Sequence, residues 1–182
     1  MVRTILNDSN IPACKPKSLT SRNPEQGLLC WRPDGAVKQV PWNRFGHQDG
    51  TIALLPDLLQ GGLWLGFLDG GVAYVKDGQL RSSYNIADGL GNGPVNDLQL
   101  GSDGAVWAET EGGLSRVESG VVTTLTSRNG LPCDATNSVI EDNDHSFWLY
   151  MACGLVRIPR SELDAWVSDS KRGVQTTVSD IF

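Results

Sequence analysis

Apolar and polar residues follow one another along this chain in short runs, separated by glycine-rich turns. "VNDLQL", "AVWAET", "GLSRVE" and "VVTTLT" succeed one another between Val95 and Thr126, joined by "GSDG", "EGG" and "ESG". Runs of about six residues rich in valine, leucine, threonine and tryptophan are β-strands. The glycines between them supply the positive φ that tight hairpins need. Four antiparallel strands therefore occupy some forty residues, and no stretch in the unit has the length and 3.6-residue period of a helix.

The unit recurs. Gly89 and Gly130, Leu90 and Leu131, and Trp107 and Trp148 all stand 41 positions apart, as do Gly113-Leu-Ser-Arg-Val117 and Gly154-Leu-Val-Arg-Ile158. An earlier copy has Trp64, 43 before Trp107, and Gly71-Val-Ala-Tyr-Val75, 42 before Gly113. Gly27-Leu-Leu-Cys-Trp31, 44 before Gly71, marks a partial fourth. Tandem four-stranded sheets of this period predict an all-β fold, a partial β-propeller of about three to four blades. The expected division is a remnant blade and N-terminal segment over 1–50, blades over 51–94 and 95–135, and a last blade over 136–182, all within one domain.

One segment departs from the strand pattern. In Pro159-Arg-Ser-Glu-Leu-Asp-Ala-Trp-Val167, Leu163, Trp166 and Val167 share a helical face, and Ser161 with Asp164 resembles a capping box. The reading is a short helix near 161–170, starting from Ser161, with Trp166 on the rim of its own blade and a last strand around 174–178.

The repeated words resemble the two-component regulator propeller repeat. They are Gly89-Leu90, Val95, Asp103-Gly104, Val106-Trp107 and Gly113 to Val117, then Gly130-Leu131, Val139, Asp142, Phe147-Trp148 and Gly154 to Ile158. The resemblance covers about residues 27–178. It implies the extracytoplasmic, periplasmic sensor region of a hybrid histidine kinase, with ligand sensing coupled to signalling and carbohydrate ligands in several relatives. It also implies a ring larger than the blades counted here, so the chain reads as a piece of a larger sensor.

Composition narrows the partners. A net charge of −6 and a pI near 4.8 argue against nucleic acid and anionic membrane surfaces, which need a positive field. No apolar run approaches a membrane span. The opening "MVRTILNDSNIPACKPKS" lacks the apolar centre of a secretory leader. Cys14, Cys30, Cys133 and Cys153 form no metal-binding spacing, and no metal or cofactor is expected. Cys133 and Cys153 fall in two loops on the same side of one blade, where a disulfide and free thiols both fit.

Other chemistry is weak. "GLGNG" leads into a strand, not a helix, so it is no dinucleotide loop. "EDNDHS" puts Asp142, Asp144 and His145 in a hairpin turn, and Phe147 and Cys153 stand where a calcium loop needs glycine and glutamate. There is no Gly-x-Ser-x-Gly, and no catalytic residue is assigned. Trp64, Trp107 and Trp148 occupy one register of the second strand, which makes them blade core and not a sugar platform. Asn92, Asn96, Asp134 and Asn137 lie in or beside the loops between blades and are the candidate ligand contacts, since amides and carboxylates suit sugar hydroxyls. The expected partners are an oligosaccharide or other small ligand, and the remaining blades of a larger chain or a second copy. The competing readings are a stand-alone protein-interaction propeller and a propeller lyase or hydrolase.

Overall fold

The computed structural model describes residues 13–16, 27–31 and 36–179. Part of the remnant expected over 1–50, and the last three residues, lie outside the described residues. Four antiparallel sheets follow one another along the chain. The first holds β1 (Ala13–Pro16), β2 (Gly27–Trp31) and β3 (Val37–Pro41), with Cys14 opposite Cys30 in register. The second holds β4 (Thr51–Asp57), β5 (Gly62–Phe67), β6 (Val72–Lys76) and β7 (Gln79–Tyr84). The third holds β8 (Val95–Leu100), β9 (Val106–Thr110), β10 (Gly113–Glu118) and β11 (Val121–Leu125). The fourth holds β12 (Thr136–Glu141), β13 (Phe147–Met151), β14 (Gly154–Ile158) and β15 (Thr177–Ser179). In the last three sheets each strand pairs with its neighbour in sequence, as hairpins of short apolar runs require.

Three apolar seams hold the sheets face to face. The first joins Leu28, Val40 and the turn residues Trp42 and Phe45 to Leu63, Leu65 and Phe67. The second joins Ala53 and Val72 to Val95, Leu98, Val106 and Val117. The third joins Trp107, Leu114 and Leu125 to Val139, Phe147, Leu149 and Val156. Each middle sheet is thus covered on both faces, which explains why β9 and β10 are buried along nearly their whole length, polar residues included.

The Gly-Leu word is the plug of these seams. Single helical turns at Ile86–Asp88 and Ser127–Asn129 end in Gly89 and Gly130, with φ of 103° and 101°. That left-handed conformation favours glycine and drops Leu90 and Leu131 into the second and third seams. Asn85 with Asp88, and Thr126 with Asn129, cap the turns reciprocally. The corresponding turn at Trp42–Phe45 ends in Gly46, φ 87°, and is followed not by leucine but by His47. That imidazole is buried, stacks on Phe67 at 3.6 Å, and hydrogen-bonds through Nδ1 to Asp69 Oδ1 at 2.9 Å.

The helix differs from its sequence reading. Helix α1 spans Arg160–Ser168 and is preceded by Pro159, whose φ of −61° and ψ of 147° turn the chain straight into the helix, so Ser161 lies inside it. Asp164 pairs with Arg160 Nε at 2.7 Å one turn away instead of capping. Trp166 is fully buried and lies 6.2 Å from Trp107, in the seam and not on the rim. Val174 precedes the last strand: its N–H donates to the Asn129 carbonyl at 2.7 Å, which leaves only three residues, Thr177–Ser179, to pair with β14.

Candidate functional site

At one end of the stack the loop joining each pair of sheets meets a hairpin. The Leu68 N–H donates to the Gly50 carbonyl, the Gly112 N–H to that of Asn92 and the Ala152 N–H to that of Ala135, at 3.1, 2.8 and 3.2 Å. A disulfide joins Cys133 and Cys153 here, across a sequence separation of 20. Loops on a rigid scaffold are where recognition concentrates, so this end is the candidate ligand face.

The four sequence-predicted contacts all lie at this end, but in different states. Asn92 is exposed, with its carbonyl committed to Gly112. Asp134 is half-buried, and its Oδ1 accepts the Ser127 N–H at 2.6 Å. Asn96 and Asn137 stand 41 apart, each at a break in pairing register, between Val95 and Asp97 and between Thr136 and Ser138. Such bulges re-aim a side chain. Asn96 spends its amide on structure, donating from Nδ2 to the Thr136 carbonyl of the next sheet at 3.0 Å. Asn137 is exposed. Asn96, Asp134 and Asn137 therefore meet around Thr136, whose hydroxyl donates to the Asp134 carbonyl; Asn92 lies on the adjoining inter-sheet loop.

The three tryptophans share a register but not a degree of burial. Each pairs across the strand with the third position after the glycine of the next word: Trp64 with Tyr74, Trp107 with Arg116, Trp148 with Arg157. Tyr74 lies 4.9 Å from the Trp64 ring, and the two guanidiniums lie 5.9 and 5.8 Å from their indole centroids, within cation–π range. Trp107 is only 2% exposed because the fourth sheet and Trp166 cover it. Trp64 is half-buried at the margin of the second seam. Trp148 is half-buried and belongs to none of the three clusters, so it is not core among the described residues.

At the opposite ends of β8 and β12, charged residues tie the sheets together. Glu141 accepts the Ser102 N–H at 3.0 Å and lies 2.6 Å from His145 Nδ1. Its partial burial would raise the carboxyl, but the Ser102 and His145 contacts outweigh that and hold it below its usual range. Asp103 is likewise lowered: burial opposes ionisation, and the Arg116 hydrogen bonds and charge, with the Ala105 N–H, prevail. Asp142 accepts the Trp148 Nε1 proton at 2.8 Å, which chiefly holds that carboxyl low. His145, at φ 59°, takes the left-handed turn position that Gly104 fills at 82°.

Sequence reasoning passed over Glu109. Its side chain is 0% exposed, and neither carboxylate oxygen has a hydrogen-bond partner. Burial, and after it the charge of Asp97 across the strand pair, push the carboxyl up to about 8. Gly66 and Tyr150 hold the same position in the second and fourth sheets. Glu109 is a neutral acid in an apolar seam at pH 7, too enclosed to act on a ligand from the loop face. Among the described residues no group of three or more histidine, cysteine, aspartate or glutamate side chains converges to hold a metal.

Solved structures share this fold. The extracellular domain of the hybrid two-component system BT3049 from B. thetaiotaomicron aligns with a TM-score of 0.59 at 20% identity, over 84% of this chain and 20% of that one. The extracellular domain of the hybrid two-component system BT4673 from the same organism aligns at 0.56 and 19% identity, over 89% of this chain and 24% of that one. A streptogramin B lyase aligns at 0.56 and 17% identity, over 85% of this chain and 47% of that one. The chain thus spans about a fifth to a quarter of the two-component domains it matches. No protein-family model matches the sequence, and no curated protein does. The four stacked sheets are a partial β-propeller of the kind those extracellular domains contain.

Proposed function

We propose that the chain is a non-catalytic, ligand-sensing part of an extracytoplasmic propeller, whose parent passes a binding event to a histidine-kinase module. The observation that carries the reading is the fold match to extracellular domains of hybrid two-component systems, beside the resemblance of the repeated words to the two-component regulator propeller repeat. Among the described residues no helix is long and apolar enough to cross a membrane. The Cys133–Cys153 disulfide supports an oxidising compartment.

The ligand face is the loop end around Asn92, Asp134 and Asn137, where exposed amides and a half-committed carboxylate offer both donors and acceptors to sugar hydroxyls. Any signal would have to come from a ligand that binds two arrangements of the sheets unequally. Calorimetric titration with a panel of neutral oligosaccharides tests the reading. Saturable binding weakened by Asn92→Ala and Asn137→Ala is expected. No binding across the panel, or binding untouched by both substitutions, would contradict it. The lyase likeness favours a second reading, catalysis at the same face; turnover in the same panel would establish it.

A further inference from the structure

The chain contains two Asn-Gly steps, Asn92-Gly93 and Asn129-Gly130, and folding treats them differently. An asparagine loses its amide when the following backbone nitrogen attacks the side-chain carbonyl carbon. A following glycine, having no Cβ, leaves that approach open. The attack needs a side chain free to rotate and a nitrogen that is not already held. Asn43, Asn85, Asn96, Asn137 and Asn143 are each followed by a residue whose side chain crowds the approach.

Asn129 meets neither condition. It lies in the capped turn that delivers Leu131 to the third seam. Its Oδ1 accepts from the Thr126 N–H and hydroxyl, both at 3.2 Å, and its Nδ2 donates to the Ser170 carbonyl at 3.1 Å. Its carbonyl accepts the Val174 N–H at 2.7 Å, and the Gly130 N–H donates to the Ser127 carbonyl at 3.1 Å. Asn92, in contrast, is exposed in the bend before β8. Neither its side chain nor the Gly93 N–H has a hydrogen-bond partner among the described residues. A single bond restrains the step: the Asn92 carbonyl accepts the Gly112 N–H at 2.8 Å.

We propose that the fold makes Asn92 the site at which this protein deamidates. The Gly93 nitrogen bonds to the Asn92 Cγ, the Cγ–Nδ2 bond breaks, and the Gly93 N–H proton leaves with the amide as ammonia, closing a cyclic imide. Solvent water then opens the ring. Attack at Cγ gives aspartate; attack at the main-chain carbonyl carbon gives isoaspartate, with the backbone rerouted through Cγ. Either product places a new carboxylate beside Glu111, whose Oε2 lies 3.1 Å from where a Gly93 Cβ would stand. Isoaspartate also lengthens the main chain at the contact with Gly112, within the loop face where Asn92 is read as a ligand contact. The chemistry does not depend on that reading, so conversion without loss of ligand binding would fault only the ligand assignment.

The test ages the whole chain in mildly alkaline buffer and follows both steps by tryptic mass mapping; Arg116 and Arg128 put them on separate peptides. Each conversion adds about one mass unit and one negative charge. In the folded chain Asn92 is expected to convert at least ~tenfold faster than Asn129, because the bonds around Asn129 must open first. In urea, where that turn is gone, the two steps should convert at similar rates. Asn92→Gln, a change at an exposed side chain, should remove the early acidic species seen on ion exchange. Equal rates at the two steps in the folded chain, or faster loss at Asn129, would overturn the proposal. So would a tenfold contrast that survives in urea, or an early acidic species that persists in Asn92→Gln.

Discussion

Replacing Glu109 with glutamine should stabilise the fold, and by more as the pH rises. The Glu109 carboxyl titrates near 8 in the folded chain against an ordinary 4.5, because burial in the seam, and after it the charge of Asp97, disfavour the carboxylate. Its folded value is raised, so below pH 4.5 it is neutral whether the chain is folded or not, and it contributes no penalty. Between 4.5 and about 8, folding must take up a proton. At ~1.36 kcal/mol per pH unit, that costs about 3 kcal/mol at pH 7 and about 5 kcal/mol above pH 8. Glutamine has the same shape and never ionises, so it removes the slope while leaving a similar unsatisfied polar group in place. Urea denaturation of both proteins at pH 5, 7 and 9 measures the effect. The advantage of Glu109→Gln should be small at pH 5 and about 3 kcal/mol at pH 7, a shift of about 6–12 °C in melting temperature. A variant less stable at all three pH values, or a difference that does not change with pH, would mean that Glu109 is ionised and paired, and the reasoning would be refuted.

Three further outcomes follow from the same structure. Reducing the Cys133–Cys153 bond, or replacing both cysteines with alanine, frees a loop with a sequence separation of 20 and should cost about 3 kcal/mol in the chain-entropy view; an unchanged melt with and without dithiothreitol would contradict this. Trp107→Ala should lose about 3–5 kcal/mol and Trp148→Ala less than half of that, since only Trp107 is enclosed by a following sheet; equal losses in urea denaturation would count against the seam as described. Gly130→Ala should cost more than Gly104→Ala although both have positive φ. A methyl at 130 would run into the Val174 carbonyl, whereas at 104 it meets nothing within 4 Å; the expected losses are about 3 and about 1 kcal/mol, and reversed magnitudes would argue against the plug geometry.

The strands were legible because their cause is local: six-residue apolar runs cannot avoid turning at "GSDG" or "ESG". The pairing of Trp107 with Arg116 and of Trp148 with Arg157 was legible as repeated words, although its meaning as an indole under a guanidinium needed the strand register. Features decided by contact between sheets were not. The apolar stripe of α1 shows Trp166 to be buried but not which sheet it meets, and it crosses to Trp107. His47 takes the place of Leu90 and Leu131, yet "FGH" does not look like "DGL" until Phe67 and Asp69 surround the ring. Asn96 and Asn137 look alike as candidate sugar ligands; the bulge and the Thr136 carbonyl separate their present roles. Glu109 was hidden because a glutamate in "AVWAET" looks like any strand carboxylate until a further sheet closes over it.

The third and fourth sheets pack through the row that holds Trp107. A double-mutant cycle between Trp107 and Phe147, whose rings meet edge to face at 4.9 Å across the third seam, tests it most directly. Single and double alanine variants measured by urea denaturation should reveal a coupling of about 0.5–1.5 kcal/mol between residues 40 positions apart in sequence. Losses that add to within about 0.3 kcal/mol would show that the two rings do not touch, and the stacked-sheet architecture would be contradicted at its best-defined contact.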